Sequence, residues 1–233
     1  MAISIATWAN SIADTFQKCF IKEDRYKLML SGLVVTIQVS ILAVILGLLI
    51  GFVVALCNMS KNKILKLFGK VYTDIIRGTP SVTQLMIIYF VIFASVHWDK
   101  WIIAAIAFGI NSGAYVSEII RAGILSVDKG QTEAGRSLGL NGVQTMMGIV
   151  VPQAAKNILP ALCNEFITII KETAIVGYVG LMDIQKAGDF IKSATYIPYM
   201  PLLGTAVIYF VLIKLLTIVF SKLETRLRMS EAR

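Results

Sequence analysis

A chain of 233 residues that is 57% hydrophobic and 15% charged, with a mean hydropathy of +0.76, is too apolar for a water-soluble domain, where about 25% of residues are charged. Its net charge of +8 comes without a basic stripe on a polar segment, which excludes nucleic-acid binding and fits a membrane protein with Lys- and Arg-rich loops. Cys19, Cys57 and Cys163 are odd in number and far apart, and His97 is the only histidine, so neither a disulfide frame, a metal site nor a catalytic cluster is expected.

In chain order, Phe16 to Lys27 mixes apolar and charged groups and predicts an interfacial helix. Leu28 to Ser60 holds no Lys, Arg, Asp or Glu. As a helix it would reach about 50 Å against a hydrocarbon core of about 30 Å, so it contains one span with interfacial flanks or tilt. It also far exceeds the ~7–15-residue apolar core of a cleavable signal peptide. Gly47 and Gly51 form a Gly-x-x-x-Gly pair within it, which permits close approach of another helix. Thr79–Trp98 and Trp101–Ser117 are shorter uncharged runs, joined by a turn whose Trp98 and Trp101 suit an aromatic belt. Asn157 to about Leu181 is apolar but broken by Glu165, Lys171 and Glu172, and predicts a fourth span. Leu202–Phe220, interrupted only by Lys214, predicts a fifth. All five are expected to be helical, because lipid offers no partner for an unpaired backbone group.

Basic residues set the orientation. With the first connecting loop inside, one side holds Lys61, Lys63, Lys66, Lys70, Arg77, Arg121, Lys129, Arg136, Lys156, Lys222, Arg226, Arg228 and Arg233, thirteen against eight on the other. The N-terminus is therefore expected outside and the C-terminus in the cytoplasm.

One stretch is unlike a span. Glu133-Ala134-Gly135-Arg136-Ser137-Leu138-Gly139 is a polar, helix-forming island, with Ile149 and Pro152 beyond it. Asp128 and Gln131 have the spacing of a capping box, and Gly139 supplies a left-handed stop. The helix of about ten residues between them is too short to stand alone and needs a partner. Ala134 and Gly135 keep its face low enough to enter a groove of another protein, and Glu133 and Arg136 are placed to pair across its rim.

This island resembles the cytoplasmic loop by which permease subunits of ATP-binding cassette (ABC) importers grip their ATPases. The family pattern is Glu-Ala-Ala, three residues, Gly, nine residues, Ile, one residue, Leu-Pro. Glu133, Ala134, Gly139, Ile149 and Pro152 fall on it in register, with Gly135 for the second alanine and Val151 for the leucine. Arg77-Gly78-Thr79-Pro80, with Gln84, resembles the entry to the second span of permeases for polar amino acids. There Thr79 can cap a helix, and Pro80 suits its first position, where no N–H is needed. Asn111-Ser112-Gly113-Ala114-Tyr115, Glu118-Ile119-Ile120-Arg121 and Gly123-Ile124 resemble that family's third span and its exit. Leu159-Pro160-Ala161, Asn164-Glu165-Phe166 and Lys171-Glu172-Thr173 resemble its fourth.

The resemblance covers about Ser31 to Arg228. It implies an all-α membrane protein of the bacterial plasma membrane, with the type I ABC importer transmembrane fold and five transmembrane helices. It also implies two ABC ATPase subunits, a second permease subunit (identical or paralogous), an external substrate-binding protein and an amino acid substrate, all within membrane lipid. The chain then divides into an external interfacial segment (1–27), a transmembrane domain (28–221) with a coupling helix at about 128–139, and a cytoplasmic tail (222–233). Glu133, Ala134, Gly135, Arg136, Gly139 and Pro152 are the expected ATPase-coupling residues. No phosphate loop of the form Gly-x-x-x-x-Gly-Lys-Ser/Thr is present, so no cofactor is expected in this chain, and ATP and Mg belong to the partner ATPase.

For the substrate pathway, charge at membrane depth is costly and faces a watery cavity or a partner. On a helix, Asn164, Thr168 and Lys171 share one stripe, and Glu165, Thr168 and Glu172 its neighbour. These residues, with Asn111, Tyr115 and Glu118 on the third span, are the candidate lining. A structural network around Lys171 and Glu172 is the open alternative, and Lys214 is placed either to neutralise Glu165 or Glu118 or to snorkel. The acidic excess leans toward a cationic substrate. Rival functions are a permease for another small solute, or a channel or carrier without an ATPase.

Overall fold

The computed structural model describes the backbone of residues 5–229 and the side chains of residues 10–225. The expectations for residues 1–4 and for Arg233, and for the side chains of Arg226 and Arg228, lie outside the described residues. Helix α1 (Ile5–Phe16) continues through a wider turn at Gln17–Ile21 and ends in a break. Glu23 and Asp24 both sit at positive φ, 60° and 54°. The expected helix over Phe16 to Lys27 is therefore displaced toward the N-terminus. The charges that suggested a helix surface instead close the turn: Arg25 reaches Glu23 at 2.7 Å and Lys27 reaches Asp24 at 2.6 Å.

Helix α2 (Tyr26–Met59) is one unbroken helix of 34 residues, about 51 Å long. It runs beside α5 (Lys100–Leu125) in the same direction. The glycine pair foreseen for helix contact is used here, inside the chain. A Cβ at Gly51 would stand 2.5 Å from Val116, and one at Gly47 would stand 2.9 Å from the Ser112 hydroxyl. Gly109 and Gly113 return the complement, against Leu46 and Ile50. Four glycines thus let two backbones approach where side chains would hold them apart.

The second span differs from expectation. Helix α4 (Ser81–Ile87) with its wide turn to Ile92 spans twelve residues, about 18 Å, too short for the hydrocarbon core. It pairs with α3 (Lys63–Arg77) across a 105° bend at Gly78–Pro80. Proline starts α4 at the residue before the first helical one, and the Thr79 hydroxyl donates to Ile75 O instead of capping α4. Helix α5 runs past Ser117 to Leu125, since Glu118 and Arg121 neutralise each other one turn apart, at 2.8 Å.

Beyond α5 come α6 (Lys129–Ser137), the short α7 (Gly142–Thr145) with a wide turn to Val150, and α8 (Val151–Glu172). Tighter turns carry α8 to Val179, and Gly180 closes it at φ 71°. Helices α9 (Ile184–Thr195) and α10 (Tyr199–Met229) follow, so the expected tail from residue 222 begins as helix. Among the described residues, four helical stretches are long and apolar enough to span: α2, α5, Gly142–Val179 and α10, with the bent α3–α4 pair as a fifth. The main core lies where α2, α4, α5 and α8 meet, around Val39, Leu85, Phe108 and Ile169. A second core joins the N-terminal turn to α2 and α9 through Cys19, Met29, Ile184 and Ile191. Cys19 packs there, buried, with a free thiol.

Candidate functional site

The polar island folds as a closed unit. The Asp128 carboxylate caps α6 by accepting from Gly130 N at 2.7 Å. The expected capping box does not close, because Gln131 Oε1 instead accepts from Gln153 on α8 at 3.3 Å. A reciprocal box forms one element later: Asn141 accepts from Gln144 N at 2.9 Å, and Asn141 N donates to the Gln144 side chain at 2.8 Å. Gly139 is left-handed, φ 83°, where a Cβ would be strained. Gly135 is buried, and a Cβ there would stand 2.8 Å from both Ile149 Cδ1 and Thr145 Cγ2. Its small size therefore serves packing inside the chain, which corrects the expectation that it opens the face to another protein. Ala134 does lie exposed. Arg136 donates to Leu140 O at 2.9 Å, and among the described residues no ion pair joins it to the exposed Glu133.

This unit exposes apolar side chains among polar ones such as Lys129, Glu133 and Arg136. Leu138 is 81% exposed, Val143 73% and Met147 63%. Beneath it, Gln131–Gln153 and an Asn157–Ser126 hydrogen bond of 2.8 Å tie the loop to α8 and to the end of α5. Pro152, exposed, lies in the first turn of α8.

The candidate pathway residues fall into three groups. Asn111 is buried, and its amide donates to Gln84 Oε1 at 2.9 Å. Gln84 in turn donates to Ile76 O and to the Thr79 hydroxyl, at 2.7 and 2.6 Å, which locks the α3–α4 bend. Tyr115 and Glu118 form the second group with Arg77. The Arg77 guanidinium lies 5.5 Å from the Tyr115 ring centre and 3.9 Å from the Glu118 carboxylate. The third group is on α8. Glu165, half-buried, accepts a 2.8 Å hydrogen bond from the Ser112 hydroxyl of α5, beside an apolar recess of 360 Å³ lined by Val44, Leu162 and Phe166. Thr168 donates back to Asn164 O at 3.0 Å, Glu172 is half-buried, and Asn164 and Lys171 are exposed. Lys214 is exposed on α10 and makes no ion pair with Glu165 or Glu118.

Sequence reasoning missed Ser112 and Gln84 as partners, and it missed Asp183. Asp183 is fully buried and caps α9 by accepting from Gln185 N and Lys186 N, at 3.1 and 2.9 Å. Tyr209 of α10 also donates to it, at 3.2 Å. Burial pushes its carboxyl above the usual range, and these hydrogen bonds pull it back. An Asp immediately ahead of an amphipathic helix was the available cue. Among the described residues no group of His, Cys, Asp or Glu could hold a metal ion.

These features define a multi-pass helical membrane protein with a rigid, capped loop presented at one end. Residues 28–229 match the family of binding-protein-dependent transport system inner membrane components, and the chain belongs to it. It is 43% identical over 204 residues to a glutamine transport system permease protein of Rickettsia bellii, covering 87% of this chain and 94% of that one. It is 40% identical to the arginine transport system permease protein ArtQ of Bacillus subtilis, covering 87% and 94%. Among solved structures it resembles an amino acid ABC transporter crystallised with histidines, at TM-score 0.81 and 39% identity, covering 97% of this chain and all of that one. The MetNI methionine ABC transporter shares the fold, at TM-score 0.72 and 18% identity, over 87% of this chain and 97% of that one. The type I ABC importer fold expected from the sequence is thus the fold observed.

Proposed function

We propose that this chain is the membrane permease of an importer for a polar amino acid, driven by a separate ATPase through α6. The observation that carries this is the closed loop unit: exposed Leu138, Val143 and Met147 beside exposed Glu133 and Arg136, on a base tied to α5 and α8. Relatives named for glutamine and arginine supply the substrate class. The thirteen-to-eight basic asymmetry supports the N-terminus outside, which puts α6 in the cytoplasm beside an ATPase. Two ATPases and a second permease subunit complete the unit, an external binding protein delivers the solute, and ATP and Mg stay on the ATPase chains.

The geometry suggests how force travels. Gly135 seats on Ile149, and Gln131 and Ser126 reach α8 through Gln153 and Asn157. A displacement of α6 on ATP binding is therefore handed to α8, the helix that carries Glu165, without slack in the loop. The two α8 helices of a permease pair then change which side their polar stripe faces, and hydrolysis resets them. The Glu165 carboxylate, beside an apolar recess, suits a solute amino group with an aliphatic stem.

The test is reconstitution of the chain with its ATPase and binding protein in liposomes, with labelled arginine, glutamine and histidine. ATP-dependent accumulation of at least one is expected. Uptake that persists without any ATPase would overturn the assignment.

A further inference from the structure

We propose that the recess between α3 and the ends of α2 and α5 holds the phosphodiester headgroup of an anionic phospholipid, whose acyl chains lie along the exposed flank of α3. Helix α3 has three sides at the 100° step of a helix. Gly69 and Thr73 are buried against the protein. Lys66, Lys70 and Arg77 make the next side. Ile64, Leu67, Phe68, Val71 and Ile75 make the last, all exposed, Ile64 to 77%. The 105° bend sets this helix steeply against α4, and its basic side beside an apolar flank is the pattern of an interfacial amphipathic helix.

The basic side lines an open recess of 510 Å³ that also receives Arg121, Asp74 and Glu118. Four cations there face two carboxylates. Glu118 is taken up by Arg121 at 2.8 Å and by Arg77 at 3.9 Å. Among the described residues no ion pair is made by Lys66 or Lys70. The recess thus carries two more positive charges than negative, and the adjoining flank lacks an apolar cover. A free anion would answer only the lysines, and a second protein copy on the flank would answer only the apolar side chains. A phospholipid answers both, and basic recesses between membrane helices take such headgroups. That the leaflet is the cytoplasmic one rests on the orientation proposed above, whereas lipid binding does not.

The test uses the purified full-length chain in phosphatidylcholine nanodiscs carrying traces of spin-labelled phosphatidylglycerol or spin-labelled phosphatidylcholine. Each surface lysine contributes about a fivefold preference for anionic lipid at low salt. The immobilised component should therefore favour phosphatidylglycerol by at least about fivefold in the wild type. The preference should vanish in Lys66→Gln/Lys70→Gln, survive in Lys66→Arg/Lys70→Arg, and survive in a control pair at the other end, Lys18→Gln/Lys22→Gln. Equal immobilisation of both lipids by the wild type would overturn the proposal, and so would a preference unaffected by the glutamine pair. Loss of the preference on adding millimolar inorganic phosphate would assign the recess to a free anion and overturn the lipid. Circular dichroism of each variant separates a lost site from a lost fold, and the wild-type comparison decides even where a variant misfolds.

Discussion

Gly135 lies directly against Ile149, fourteen positions further along, with 2.8 Å between the place a Cβ would occupy and Ile149 Cδ1. The loop pattern is therefore an internal packing rule as much as a docking sequence. Gly135→Leu should displace α6 from its base and lower ATPase co-purification at least about fivefold, since forcing methylenes into a packed site costs ~1–3 kcal/mol. Gly135→Ala should cost less than Gly135→Leu, because one methyl asks only for a small shift of Ile149 and Thr145, and alanine is the residue the loop pattern carries there. Leu138→Asp acts differently: it should weaken ATPase binding to a similar degree while leaving the thermal stability of the chain unchanged. Pull-down of the ATPase with each variant, beside melting curves, checks all three. An unchanged pull-down for Leu138→Asp would remove the apolar face as the docking surface.

Much of this arrangement was legible in the sequence because it depends on local rules. Asp128 caps, Gly139 turns left-handed, and four long apolar runs mark helices, each from residues close together in the chain. What failed depends on distant partners. Gln131 has the right spacing for a capping box, yet its side chain goes to Gln153, a residue that only the fold brings near. Asn111 is polar at membrane depth, and nothing near it in the chain shows that its amide donates to Gln84 of another helix. The second span misled for a related reason: an uncharged run from Thr79 to Trp98 cannot reveal that helix stops at Ile92 and that α3 turns in through 105°. The glycine pair on α2 was visible, but its partner, the pair on α5, was not paired with it until the two helices were seen side by side.

The orientation can be read chemically. In a background with Cys19, Cys57 and Cys163 replaced, single cysteines in Lys63→Cys and Lys222→Cys should resist membrane-impermeant thiol reagents in intact cells and react after permeabilisation. Asp99→Cys should react at once. All three positions are exposed in the structure, so burial does not confound the result. External labelling at 63 would reverse the orientation and take α6 out of the cytoplasm.

The bend lock makes a stability prediction. Gln84 and Asn111 are both buried, and each spends its amide on the other or on the α3–α4 junction. Removing one partner leaves a buried polar group unsatisfied, at a cost of ~1–3 kcal/mol. Asn111→Ala and Gln84→Ala should each lower the melting temperature of the detergent-purified chain. The double variant should cost less than the sum of the two, because the shared hydrogen bond is lost only once. Additive losses would show that the two amides act independently of one another.

Glu165 carries the prediction about selectivity. Its carboxylate is half-buried, borders an apolar recess and has one hydrogen bond, from Ser112, so it retains capacity to accept more. Lys214, midway along α10, does not neutralise it. If a solute amino group is the missing partner, Glu165→Gln should lower affinity at the membrane site roughly tenfold to a hundredfold, the worth of a charged hydrogen bond of ~1.5–3 kcal/mol. Affinity of the external binding protein should be untouched, since that is another chain. Ser112→Ala should have a smaller effect, because it removes only the group that positions the carboxylate. Uptake measured beside ATPase association separates the outcomes. If transport and association fall together, Glu165 holds α5 to α8 and the polar stripe is structural. If neither changes, the solute passes elsewhere, and Tyr115 and Glu118 beside Arg77 become the next positions to substitute.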